Sequence, residues 1–136
     1  HRLHPEFNLA MGLALMELQQ YETAVEHFAN VIKARPRNQK GWTSMLDCML
    51  RSGKLDHAQE YATSAYEATG GKPVFLFYRS AISFARGQVK EAILQLEQAM
   101  QKAPKLIRKL VEIHPHILQH PQVVDLVARY KRSRSI

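Results

Sequence analysis

Alanine recurs at positions 24, 58 and 92, twice at a separation of 34 residues, and each copy opens the same local text. The text reads Tyr21-Glu22-Thr23-Ala24, then Leu55-Asp56-His57-Ala58, then Val89-Lys90-Glu91-Ala92: an apolar residue, two mostly polar residues, alanine. Four residues after each alanine stand Phe28, Ala62 and Leu96, and seven after it Val31, Ala65 and Ala99. Offsets of this kind fall on one side of an α-helix, so each copy contains a helix with a fixed apolar face. Gly53 and Gly87, also 34 apart, stand just ahead of that helix, and Gln19 holds the same place in the first copy. A left-handed residue there ends a preceding helix. A chain with this period is constrained to stack like units, because no single unit buries its own apolar face.

Helical periodicity bounded by turn residues predicts three helix pairs and no strand. The first unit, 5–38, pairs residues 5–18 with 21–34 and is broken by Pro36-Arg37-Asn38. The second, 39–72, pairs 39–51 with 55–68 and ends at Gly70-Gly71; the third, 73–104, pairs 73–85 with 89–102 and ends at Pro104. Pro5, Pro73, Pro104 and Pro121 suit first helical turns, where the missing backbone donor costs little. The interval from Ala81 to Gly87 is one residue shorter than that from Leu46 to Gly53, which predicts that the first helix of the third unit ends a residue early. Residues 105–130 then read as capping helices: 105–113 with Leu106, Leu110 and Ile113 on one face, a proline-punctuated stretch, and a short helix over 122–130. Solenoid ends expose apolar surface that such helices cover. Residues 131–136 read as a frayed basic tail.

The pattern resembles the tetratricopeptide repeat, a helix-turn-helix unit of 34 residues. The first unit carries it in Met11-Gly12, Leu15, Tyr21, Ala24, Phe28 and Pro36; the second in Trp42, Met49, Gly53 and Ala58, with Leu46 where a small residue is usual; the third in Phe77, Ala81, Phe84, Gly87, Ala92, Ala99 and Pro104. The resemblance implies an all-α, right-handed superhelical solenoid of antiparallel helix pairs, forming a single domain over residues 1–136. It further implies that the first helix of each unit lines a concave groove. By that resemblance the groove holds Leu9, Leu13, Met16 and Glu17 from the first unit, and Lys40, Thr43, Ser44, Asp47, Leu50 and Arg51 from the second. The third contributes Phe75, Tyr78, Arg79, Ile82 and Arg86.

A half-apolar groove with scattered charges suits an extended peptide or an amphipathic helix of a protein partner better than a small polar metabolite. Leu9, Leu13 and Met16 equally suit packing against a further helix. Tyr78, Arg79 and Arg86 are the stronger binding candidates, since Tyr and Arg often anchor interfaces. Relatives that clamp acidic chaperone tails place Lys and Asn on the first unit, Asn on the second, and Lys and Arg on the third. Here Leu9, Leu13, Ser44 and Phe75 stand at the matching places and only Arg79 agrees. A carboxylate needs convergent donors to offset its desolvation, so this clamp is not expected.

The charge of +7 raises a second reading, binding of single-stranded RNA or another nucleic acid, and residues 42–73 also resemble pentatricopeptide repeats. From Pro104 onward, however, seven cations stand against Glu112 and Asp125, which puts +5 of the +7 in the final quarter and leaves the repeats nearly neutral. Self-association through exposed solenoid ends is a third possibility. Cys48 is the only cysteine, which excludes an intramolecular disulfide and a thiolate zinc site and fits a small buried hydrophobe. His114, His116 and His120 cluster in the sequence, but prolines keep them off one continuous helix face and a closed zinc site normally takes four ligands. No metal, cofactor or catalytic constellation is expected. No apolar run approaches the roughly 20 residues of a membrane span. The opening residues lack a starting Met and a signal pattern, which reads as a domain cut from a longer protein, with the cytoplasm as the default compartment.

Overall fold

The computed structural model describes residues 4–135. Among them are eight α-helices and no strand: α1 (Pro5–Glu17), α2 (Tyr21–Ala34), α3 (Gln39–Ser52), α4 (Ala58–Ala68), α5 (Val74–Ala85), α6 (Val89–Lys102), α7 (Ile107–Ile113) and α8 (Pro121–Ser135). Short 3-10 turns, Pro104–Leu106 and Pro115–Gln119, bracket α7. The helices pack as antiparallel pairs, and each pair passes its second helix to the next pair's first: α1 on α2, α2 on α3, α4 on α5, α5 on α6.

The turns explain the period. Gln19, Gly53 and Gly87 all take positive φ, at 61°, 73° and 78°, so the position that ends each first helix is left-handed in every unit. Only glycine takes that conformation without a Cβ penalty, and the first unit meets it with Gln19. As the short interval in the third unit predicts, α5 stops two residues before Gly87, whereas α3 runs to the residue before Gly53. At the other boundary the Asn38 side chain caps α3 by accepting from Gly41 N at 2.8 Å, and the Trp42 indole N–H donates to the Pro36 carbonyl at 2.7 Å.

Within each pair one close contact is conserved in volume, not in residue type. A Cβ on Gly12 would lie 2.5 Å from the Phe28 ring, so the first pair closes with glycine against phenylalanine. In the second, Leu46 packs with Ala58, Ala62 and Ala65; in the third, Ala81 packs with Leu96. The large Leu46 is accommodated because its partners are small, as close-packed interiors require.

Two boundaries differ from the periodic expectation. The helix expected over 55–68 begins at Ala58, because His57 at φ −116° and ψ 12° leaves helical geometry and supplies no side-chain cap. The final helix runs from Pro121 to Ser135, so the expected basic tail continues α8, and Lys131, Arg132 and Ser133 are exposed along it. Ile136 lies outside the described residues.

Candidate functional site

The resemblance assigns the concave face to α1, α3 and α5, which touch in series, and the ten residues expected to meet a partner divide sharply by exposure. Glu17, Lys40, Arg51 and Arg86 are exposed, and Leu13, Asp47 and Arg79 are half-buried. Ser44, Tyr78 and Ile82 are interior, at 2%, 1% and 0% exposure. Tyr78 and Ile82 were expected to line an open groove, and the cause of their burial is the chain itself. Leu106, just ahead of α7, and Ile113, its last residue, pack on the cluster that holds Phe75, Tyr78 and Ile82. The segment expected only to cap the last pair therefore also lies across the third unit's concave face.

It does both because its apolar residues occupy two sides. Ile107 and Leu110 pack with Leu96 and Ala99 of α6, while Leu106 and Ile113 reach the second cluster. Five of the eight residues from Leu106 to Ile113 are apolar, more than one stripe on a surface helix requires. That excess was the sequence signal for the second contact.

Past Ile113 the chain continues along α3. Ile113, His114, Pro115 and His116 face Asp47, Leu50 and Arg51 across a cleft of about 240 Å³. A second cleft, about 380 Å³, lies between Leu50, Gly53, Leu55 and Phe84 on one side and His114, His116 and His120 on the other. The His120 ring stacks on Phe84 with centroids 4.9 Å apart, and His114 and His116 meet edge to face at 5.5 Å. Burial, followed by the neighbouring His116, holds the His114 imidazole below its ordinary value. Among the described residues no three His, Cys, Asp or Glu side chains come together as a metal-binding set.

The polar centre of this face is Asp47, whose Oδ1 accepts from the Tyr78 hydroxyl at 2.6 Å. Burial raises the Asp47 carboxyl above the ordinary aspartate value, opposed by the Tyr78 hydrogen bond and by Arg51, Lys109 and Lys40 in that order. Burial and the Asp47 carboxylate likewise push the Tyr78 phenol up. Tyr78 is thus a neutral donor that holds α5 to α3 beneath the covering segment, and its role is that of framework. Cys48 is buried, and burial followed by Asp47 raises its thiol to about 11, so the thiolate is scarce near neutral pH. No helix among the described residues is long and apolar enough to cross a membrane.

In solved structures, the chain is similar to the first TPR of Spaghetti (RPAP3) bound to HSP90 peptide SRMEEVD. The likeness covers 100% of this chain and 97% of that one, with a TM-score of 0.62 and 14% identity. At that identity it establishes the tetratricopeptide-type helical-repeat fold. No curated protein sequence matches. The family model described as the TT21 fifth ARM repeats domain matches residues 8–114, which span all three helix pairs and α7. The chain therefore belongs to the TT21 fifth ARM repeats domain family, as a helical-repeat solenoid of tetratricopeptide type.

Proposed function

We propose that the chain is a non-catalytic protein-interaction scaffold that receives an extended peptide or helix of a partner on the concave face between α1 and α3. The observation that carries this reading is the pairing of half-buried Leu9 and Leu13 with exposed Glu17 and Lys40, while exposed Arg51 stands at the edge of the segment that covers α5. Preorganised helices that present apolar side chains inside a rim of charge suit a peptide with one or two apolar anchors. That a protein of the same fold is bound to a peptide supports the class of ligand. The ligand chemistry differs, because Leu9, Leu13, Ser44 and Phe75 offer no convergent donors for a carboxylate-rich tail. Arg79 on α5 and Arg86 just past its end stay candidates for the charged rim.

The test compares proteins retained by the immobilised chain, by a Leu13→Asp/Arg51→Glu variant, and by a Leu94→Asp variant on α6, where Leu94 is 62% exposed. Half of each sample is treated with nuclease. A partner kept by the α6 variant, lost by the concave variant and indifferent to nuclease supports the proposal. Equal retention by both variants overturns it, and retention that disappears with nuclease transfers the function to the exposed cations of α7 and α8.

A further inference from the structure

The two clefts between α3 and the segment that follows α7 adjoin, because Leu50, His114 and His116 line both. Their outer ends differ in chemistry. In the smaller cleft Asp47 and Arg51 face His114 and His116, whereas in the larger one Leu55 and Phe84 lie opposite His120. A charged end and a largely apolar end thus form one continuous site.

The wall that faces α3 is fixed on both sides of His114 and His116. Ile113 packs on the cluster of Tyr78 and Ile82, Ile117 is fully buried in the cluster that holds Phe84 and Leu110, and the His120 ring stacks on Phe84. The two imidazoles are therefore presented without a folding step, which lowers the ordering cost of a ligand that meets them.

The charged end is unbalanced. Arg51, Lys109 and Lys40 all act on Asp47, the one carboxylate among the lining residues, so three cations against one anion leave a surplus of two positive charges. Asp47 is already engaged, since its Oδ1 accepts from the Tyr78 hydroxyl. Among the described residues, Arg51, His114 and His116 take part in no ion pair. A guanidinium and two imidazoles on one cleft are donors suited to an oxyanion, and the planar fork of Arg matches phosphate with two parallel bonds. A phosphorylated side chain carries about −1.5 to −2 charges, which offsets the surplus, whereas a carboxylate would leave one cation over. Next to it, Leu50, Leu55 and Phe84 offer apolar surface.

We propose that this cleft binds a phosphorylated serine or threonine of a partner peptide, with Arg51, His114 and His116 on the phosphoryl oxygens and a neighbouring aliphatic side chain on Leu50, Leu55 and Phe84. The proposal rests on the reading of the chain as a peptide-receiving scaffold and adds a contact apart from Leu9 and Leu13. It requires no displacement of the covering segment, which forms one wall of the site.

The experiment measures fluorescence anisotropy of a labelled peptide, Gly-Leu-phosphoserine-Leu-Gly with blocked ends, against its serine and glutamate versions. The phosphorylated peptide is expected to bind about tenfold or more tightly than either, and Arg51→Ala and His116→Ala each to weaken it by about tenfold, as loss of a charge-assisted bond implies. Both substituted side chains are exposed, so the fold should persist, and circular dichroism checks it. In the imidazole region of the proton NMR spectrum, the signals of His114 and His116 should move on adding the phosphorylated peptide while that of His27 stays. Leu13→Asp, which disables the face between α1 and α3, should leave this affinity unchanged, so the two sites fail separately. Equal affinity for the serine peptide, or indifference to both Arg51→Ala and His116→Ala, overturns the proposal. Equal affinity for the glutamate peptide overturns the assignment to a phosphoryl group, and loss of binding in Leu13→Asp alone overturns the placement in this cleft.

Discussion

Helices α1 and α5 hold the same place in their units, yet α5 buries nine of its 12 residues and α1 three of its 13. Hydrophobicity does not separate them, since both are largely apolar. Their neighbours do. Helix α5 has α4 on one side, α6 on another and α7 across its concave face, whereas α1 meets chiefly α2, with a lesser contact to α3. The first helix of a unit can therefore be covered framework in one unit and open surface in another. Tyr78 on α5 and Leu13 on α1, both assigned to the groove by the helix they stand on, show the contrast.

The sharpest way to break this comparison is to truncate both residues. Tyr78→Ala should cost about 3–5 kcal/mol, because it opens a cavity beneath α7 and also leaves the Asp47 carboxylate without its donor. Leu13→Ala, at a half-buried position, should cost roughly 1 kcal/mol. Urea denaturation monitored by circular dichroism measures both. Similar costs would show that α5 is no better covered than α1.

A smaller effect sharpens the role of paired volumes. Gly12→Ala places a methyl against the Phe28 ring and should destabilise by about 1–3 kcal/mol, with recovery when combined with Phe28→Leu, since the second pair closes Leu46 over alanines. Additive losses in the double variant would contradict compensation.

The smallest expected effect concerns the covering segment and pH. His114 is held neutral by burial, so its folded pKa lies below the ordinary 6.5. The fold favours the uncharged ring. That contribution is complete above the unfolded value and is lost as pH falls through the depressed folded value. His114→Gln should flatten the decline in stability on acidification from neutral pH, and should slow hydrogen exchange in α7 relative to wild type at acid pH while leaving α1 unchanged. An unaltered pH profile would mean that His114 titrates freely outside the fold.

Much of the architecture was legible before any coordinates. The separation of Ala24, Ala58 and Ala92 predicted like helix pairs, and Gln19, Gly53 and Gly87 marked the turns that prove left-handed. These features are local: periodicity shows which side of a helix is apolar, and a turn needs only its own residues to be read. The late start of α4 escaped because no residue type forbids helix at Asp56-His57. The length of α8 escaped because charged residues suit a solvated helix as well as a frayed end.

What the sequence determined by itself was the repeat and its registers. What only the tertiary structure decided was which apolar faces are covered. Tyr78, Ile82 and Ser44 carry no mark distinguishing them from Leu13, Lys40 and Arg51, because burial is a property of the neighbour that arrives. For Tyr78 and Ile82 that neighbour is α7, some thirty residues further along the chain than Tyr78, and its path after Pro104 is set by where Leu106, Ile107, Leu110 and Ile113 find surface together. Local patterning states how much surface must be buried; only the return of the chain fixes against what.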